Sequence, residues 1–287
     1  MKKYFNTENN TANVAIFLSG SGTNAENLLK ELKNSNDNWN PVAIVTDAPE
    51  TSRAAELAEK FNVKLIALDI RKFYNERGEK RISILTKKGQ EIREEWTNEL
   101  RTLLKPLNID FGVLAGFVPL SNITDDFPCL NVHPGDLTVL KDGKRLLVGL
   151  HTVPVEIAIV AGLTEMRSSV IIAQTYTGKG GEMDSGPILG ISQSVRIDLQ
   201  GNSLEDLKVI ANQRPEKRPV GGYKDKLEEV ASFNQELLKV DGDWVVFPKV
   251  VAEFAKGNYT EENNQLYYKN EEIKTISFSP KTFEVIK

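Results

Sequence analysis

Apolar residues come in short runs through the first half of the chain. Each run is followed by a stretch in which apolar positions return every three or four residues. Val14-Ala-Ile-Phe-Leu18 ends in Ser19-Gly20-Ser21-Gly22, and Asn24 to Lys33 then sets Leu28, Leu29 and Leu32 on one side of a helix. Val42-Ala-Ile-Val-Thr46 is a second strand, stopped by Asp47 and Pro49, and Ser52 is placed to cap a helix bearing Ala54, Ala55, Leu57, Ala58 and Phe61. Lys64 to Leu68 is a third strand. From Gln90 a helix carries Ile92, Trp96, Leu100 and Leu103 on one stripe. Phe111 to Ala115 and Cys129 to Val132 are apolar throughout, as strands covered on both faces are. This alternation predicts an α/β protein built on a mostly parallel sheet.

The second half is less regular. Pro154 suits the first turn of a helix running to Ala161, with Gly162 placed to stop it, and Ser169 to Ala173 and Ile188 to Ile191 read as further strands. After Arg196 charges become dense, and residues 201 to 240 read as two helical pieces around Arg214-Pro-Glu-Lys-Arg-Pro-Val-Gly-Gly222. A helix from Trp244 to Lys256 ends at Gly257, and Leu266 to Ile276 reads as a β-hairpin around Asn270. Residues 1 to 13 form a polar tail, and residues 71 to 88 are a charged, weakly periodic excursion.

Composition narrows the field. The chain has 287 residues, 40% hydrophobic and 26% charged, enough for one large α/β domain or two small ones with a sizeable core. Lys+Arg 36 against Asp+Glu 40 leaves a net charge of -4, which argues against nucleic-acid backbone as the main partner. The single cysteine, Cys129, excludes an intrachain disulfide and a cysteine-rich zinc site, and fits a reducing cytoplasm. The start turns polar where an export signal needs an apolar stretch, and Val14 to Leu18 falls far short of the roughly 18 residues of a bilayer span. Small molecules are the expected partners, with neither nucleic acid nor membrane among them.

Four segments carry candidate chemistry, each beside a plain structural alternative. Gly20, Ser21, Gly22, Thr23 and Asn24 follow the first strand and open a helix, where backbone N–H groups and the helix dipole attract an anion such as phosphate; the alternative is a tight turn. The spacing matches neither a dinucleotide fingerprint nor a P-loop. Asn131 and His133 alternate on one side of a strand broken by Pro134 and Gly135, at the carboxyl edge where open sheets bind ligands. An amide and an imidazole suit a developing oxyanion and a moving proton, while the alternative is a histidine that satisfies a loop carbonyl. His151 lies in Gly149-Leu-His-Thr152, where Thr152 would cap the following helix and His151 would be a turn residue. Asp184, in Met183-Asp-Ser-Gly-Pro187 after Gly178-Lys-Gly-Gly181, is a turn aspartate or a carboxylate that holds a histidine cationic.

Taken in order, Ser19 to Asn24, Leu114-Ala-Gly-Phe117, Asn131-Val-His-Pro134, Gly149-Leu-His-Thr152 and Asp184-Ser-Gly-Pro187 resemble the folate-dependent formyltransferases. Trp244-Val-Val-Phe-Pro248 and Phe254-Ala-Lys-Gly257 resemble the last helix of the branch that formylates phosphoribosylglycinamide, so the likeness runs from Val14 to about Tyr268. It implies a Rossmann-like, mostly parallel twisted sheet with helices on both faces, plus a C-terminal helix and β-hairpin. It also implies a catalytic set of Asn131, His133 and Asp184, with 10-formyltetrahydrofolate as co-substrate and no metal. The donor would lie near Leu114, Phe117, Val118, Leu120 and Gly181, and the acceptor's phosphate on Gly20 to Asn24. His151 and Asp243 are possible acceptor contacts. The implied acceptor is a small phosphorylated amine, phosphoribosylglycinamide first, in purine biosynthesis and one-carbon metabolism. A sugar nucleotide or another small amine is the alternative, as is a catalytically silent folate- or nucleotide-binding relative.

The family domain would span residues 14–257, with insertions near 71–88, 136–148 and 201–240 and a C-terminal extension over 258–287. The chain would act as a monomer or homodimer. Gly135 departs from the resemblance, which implies a serine in most members at this place.

Overall fold

The computed structural model describes residues 2–6, 11–35, 37, 39–176 and 183–287. Its main sheet has strands β1 (Ala12–Phe17), β2 (Trp39–Thr46), β3 (Leu65–Ala67), β4 (Phe111–Leu114), β5 (Cys129–His133), β6 (Ser169–Ile172), β7 (Ile188–Ser192), β8 (Thr275–Phe278) and β9 (Phe283–Ile286). They hydrogen-bond in the order β9-β8-β7-β6-β5-β4-β1-β2-β3. β1 pairs in parallel with β2 and β4, β2 with β3, β4 with β5, and β7 with β8, whereas β8 and β9 are antiparallel. The helices that flank it are α1 (Thr23–Asn34), α2 (Ala54–Phe61), α3 (Ile70–Glu76), α4 (Lys87–Leu104), α5 (Val153–Val160), α6 (Leu204–Gln213), α7 (Lys226–Leu238) and α8 (Trp244–Ala255). The predicted α/β class with a mostly parallel sheet is what the chain forms.

The chain divides into two compact units. The first comprises Met1–Val132, Ile171–Pro187 and Pro248–Ile273. Its core gathers Phe17, Val45, Ile66, Trp96, Leu100, Leu114 and Cys129 from the apolar runs and helical stripes read from the sequence, together with Phe73 and Tyr74 from the stretch read as an excursion. The excursion over 71–88 is not irregular throughout: Asp69 caps α3 by accepting from Lys72 N at 2.9 Å, and Thr86 caps α4 by accepting from Gly89 N at 3.1 Å. Charged residues hide these caps in a periodicity search, because α3 buries only Ile70, Phe73 and Tyr74. Ser52 does not cap α2. Arg53 is the N-cap residue, and Ser52 Oγ lies 2.9 Å from Thr46 Oγ1 instead.

The polar start also departs from a tail. Lys2–Lys3 pairs antiparallel with Tyr259–Glu262, and the Tyr4 and Phe5 rings lie 5.4 and 5.6 Å from Phe254. The expected hairpin around Asn270 is present, with Lys269 and Asn270 both at positive φ, but it belongs to a four-stranded antiparallel sheet that includes Lys2–Lys3.

The second unit comprises His133–Val170, Ile188–Phe247 and Lys274–Lys287. Residues near 136–148 include a small hairpin, Leu140–Lys141 against Lys144–Arg145, turned by Asp142 and Gly143 at positive φ. Residues 201–240 supply α6 and α7, which pack Leu207, Leu227, Val230 and Ala231 against Val155, Ala158 and Ile159 of α5. Glu156 of α5 is buried there and receives Arg214 Nη1 at 2.5 Å and Arg218 Nη1 at 3.2 Å. Asp225 binds Arg214 through two oxygens, at 2.8 and 2.7 Å, so the buried charges are paired as burial requires.

Candidate active site

The first unit contains a topological switch. From β1 the chain runs outward through β2 and β3, then returns to β4 on the other side of β1. The carboxyl ends of β1 and β4 therefore open a crevice of the kind that binds ligands in open α/β sheets. The loop after β1 is tied across it. Ser19 N donates to Gly116 O at 3.1 Å, and Val118 N donates to Ser19 Oγ at 2.8 Å. Ser19 Oγ donates in turn to Asp47 Oδ1 at 2.5 Å. Asp47 is buried just past β2, and burial holds its carboxyl above the usual carboxylate range, with the Ser19 bond opposing.

Gly20, Ser21, Gly22, Thr23 and Asn24 enter α1 beside this knot. Gly22 has φ 61, and a Cβ there would meet Leu57 Cδ1 at 2.8 Å and Leu18 Cδ1 at 2.9 Å, so only glycine closes the turn. Arg53 braces the loop: its N donates to Gly20 O at 3.0 Å and its Nη1 to Ser21 O at 3.2 Å. Arg53, Lys60 and Lys30 converge on Glu26 in the first turn of α1 and lower its carboxyl to about 2. Ser21 itself is exposed.

The stretch after β4 is mixed in character. Leu114 is buried, and Phe117 packs into the core, edge-on to Phe17 at 5.3 Å and stacked near Trp96 at 6.3 Å. Val118 is 62% exposed. Leu120 O accepts from Arg93 Nη1 at 2.7 Å, while the buried Arg93 Nε has no partner among the described residues. A cavity of about 320 Å³ lies here, lined by Arg93, Thr97, Leu120, Ser121, Asn122 and Tyr176 among others. Gly181 lies outside the described residues.

Asn131 sits on β5 opposite Leu114 of β4, half-buried, and its Nδ2 donates to Asp184 Oδ1 at 3.5 Å. Two backbone bonds pin the turn that carries Asp184: Gln174 N donates to Met183 O at 3.1 Å, and Ile172 N to Pro187 O at 3.2 Å. At Gly186 a Cβ would lie 1.9 Å from Ile172 O, so glycine is what lets the turn close on the strand end.

In the second unit His133 is 3% exposed, with Nε2 2.7 Å from the Leu147 carbonyl, which assigns the hydrogen to Nε2. A Cβ on Gly135 would meet Leu147 O at 2.8 Å and His133 Nε2 at 3.2 Å. Gly135 thus leaves room for the His133–Leu147 carbonyl contact. His151 is exposed at φ 56, its carbonyl accepting from Gln235 Nε2 at 3.1 Å. Thr152 is the N-cap residue of α5 but makes no side-chain cap, because its hydroxyl donates to Glu156 at 2.6 Å. Asp243, named from the sequence as an acceptor contact, is 8% exposed and accepts from the buried Ser168 hydroxyl at 2.5 Å. That placement gives it a structural partner within the unit.

Sequence reasoning missed Asp47, Arg53 and Arg93. For Asp47 a signal existed, since a polar residue directly past an apolar strand lies at the same sheet edge as Asn131. Among the described residues no group of three or more His, Cys, Asp or Glu side chains is placed to hold a metal ion, and no helix is long and apolar enough to cross a membrane.

Comparison with known proteins follows the same lines. Residues 12–209 match the family model described as formyl transferase. None of the curated proteins matches the chain by sequence. The fold is similar to the phosphoribosylglycinamide formyltransferase of Coxiella burnetii, with TM-score 0.58 and 18% identity over 92% of this chain and 96% of that one. It is also similar to glycinamide ribonucleotide transformylase 1 of Symbiobacterium toebii, with TM-score 0.57 and 17% identity over 91% and 95%. A formyltetrahydrofolate deformylase of Pseudomonas syringae gives TM-score 0.56 and 12% identity over 90% of this chain and 66% of its own. The match spans most of the chain and holds Ser19, Asn131, His133 and Asp184 within it, and the chain belongs to the formyl transferase family.

Proposed function

We propose that the chain transfers a formyl group from 10-formyltetrahydrofolate to the amine of a small phosphorylated acceptor, phosphoribosylglycinamide first. In this reading it serves purine biosynthesis in the cytoplasm, as a monomer or homodimer acting on small molecules alone. The observation that carries the reading is the Asn131 amide held at the Asp184 carboxylate, at the carboxyl end of β5, in a chain of this family.

The chemistry follows from the residue types. The amine lone pair attacks the formyl carbon, and negative charge gathers on the formyl oxygen. Asn131 Nδ2–H and the His133 imidazolium stabilise that oxyanion. Asp184 favours the cationic ring and the correct amide orientation. The carbon–nitrogen bond to the folate then breaks as the folate nitrogen takes the imidazolium's proton, and the neutral ring takes the proton that the amine nitrogen releases. The Leu147 carbonyl fixes His133 Nε2–H, so Nδ1 is the atom that exchanges the proton. The exposed Val118 edge would meet the donor, and the amides of Gly20 to Asn24 the acceptor's phosphate.

The buried ring and its carbonyl partner favour one second reading, a silent folate- or nucleotide-binding relative in which His133 is structural. A single assay separates the two. Purified protein is given 10-formyltetrahydrofolate and a panel of amines that includes sugar nucleotides, and tetrahydrofolate release is followed. Turnover on phosphoribosylglycinamide supports the first reading, turnover only on another amine moves the acceptor, and binding without turnover supports the silent relative.

A further inference from the structure

We infer that Asp47 is a positioning residue for the donor loop and acts on it through the Ser19 hydroxyl, a role that rests on the formyltransferase reading above. An ionised carboxylate only accepts hydrogen bonds. With Ser19 Oγ 2.5 Å from Asp47 Oδ1, the single hydroxyl hydrogen is taken by the carboxylate, and the oxygen's lone pairs are left to accept. One of them accepts Val118 N–H at 2.8 Å. Ser19 also donates its own N–H to Gly116 O at 3.1 Å, so both ends of the Gly116–Val118 turn are fastened to one residue.

The turn needs such fastening. Gly116 is exposed at φ 84 with nothing within 4 Å of a would-be Cβ, and Val118 is 62% exposed. Phe117 between them is anchored in the core, so the Ser19 bonds act on the exposed backbone on either side of it. Asp47, by contrast, is 6% exposed and directly follows β2. The charges that act on it are Arg93, which favours its ionised form, and Asp69, which opposes it. The result is a relay from a buried strand end to an exposed loop. Replacing the hydroxyl removes the acceptor of Val118 N–H, and removing the carboxylate frees that hydroxyl to turn away from it.

The test measures tetrahydrofolate Kd by equilibrium titration and Val118 amide exchange in the parent, Ser19→Ala, Asp47→Ala, Asp47→Asn and the double alanine variant. Ser19→Ala and Asp47→Ala should each weaken binding about tenfold, the scale of one lost hydrogen bond to a charged group. The double variant should bind within about twofold of either single one, since the two act as one unit. Asp47→Asn keeps an accepting oxygen and should stay within about threefold of the parent. Val118 exchange should quicken about tenfold in Ser19→Ala, and donor KM should rise far more than kcat falls. Binding of Ser19→Ala within twofold of the parent overturns the role, as do losses that add in the double variant. A parent that binds no tetrahydrofolate brings down the functional reading itself and takes this role with it, a result visible before any variant is compared.

Discussion

At the scale of single residues, Asn131 bonds Asp184 while His133 bonds the Leu147 carbonyl. The amide and the carboxylate touch at 3.5 Å, near the outer limit of a hydrogen bond, so substrate would be expected to tighten the pair. Asp184→Asn should lower turnover by roughly two to four orders of magnitude, the usual scale for an acid–base partner, and leave folate affinity nearly unchanged; steady-state kinetics with a folate titration checks both. His133→Ala should cost more turnover than His151→Ala, because His151 is exposed and, among the described residues, its bond is through the backbone carbonyl. Asp47 makes a stability prediction. Burial raises its folded pKa above the unfolded value, so the ionised form opposes folding once pH exceeds both values. Asp47→Asn should therefore equal or exceed the parent in urea stability at pH 7, and the difference should fade as pH falls toward about 4. Asn131 and Asp184 could be named because their motifs are local, and the structure brings the amide within 3.5 Å of the carboxylate. Asp47 showed only as a polar residue just past an apolar strand; its bond to Ser19, like the Arg53 bonds to the loop before α1, depends on how distant segments lie side by side, which local pattern does not supply.

Turns and caps dominate at the scale of elements. Gly186→Ala would drive a methyl into Ile172 O at 1.9 Å, which the turn relieves only by moving Asp184. The variant should lose about 3 kcal/mol, read from urea unfolding, and most of its turnover. The first turn of α1 makes a pH prediction. Glu26 is held at about 2 by Lys60, Lys30 and Arg53, below its unfolded value. Its stabilisation is complete above about pH 4.5 and is lost as pH falls from there through about 2. Glu26→Gln should be less stable than the parent at pH 7 and should show a shallower stability loss across that acid window. Helix positions followed from their apolar stripes, yet several caps escaped notice. Arg53 rather than Ser52 precedes α2, because Ser52 is drawn to Thr46, and α3 was hidden by its charged outer face.

Chain ends carry the least legible structure at the scale of the whole molecule. Thr275 and Ile276 read as the end of the hairpin around Asn270, yet Thr275–Phe278 pairs in parallel with β7 through Ile191↔Ser277 and Ser192↔Phe278, and Phe283–Ile286 pairs with Thr275–Phe278 in turn. Nothing near residue 275 announces a partner more than eighty positions earlier, so local periodicity had no purchase on the pairing. Ile276 and Phe278 are buried, and ending the chain at Ile273 would strip both along with the β7 edge they cover. That shortened chain should melt roughly 10 °C lower, checked by thermal denaturation. The sheet and its switch point, in contrast, were readable as alternating apolar runs, which is why the fold class stood while the ends did not.

The central claim is formyl transfer, and tetrahydrofolate release from 10-formyltetrahydrofolate in the presence of phosphoribosylglycinamide tests it most directly. The account predicts steady release with one formylated amine per folate, nearly abolished in Asp184→Asn. No release with phosphoribosylglycinamide or any amine of the panel, from protein that still binds the folate, would contradict it.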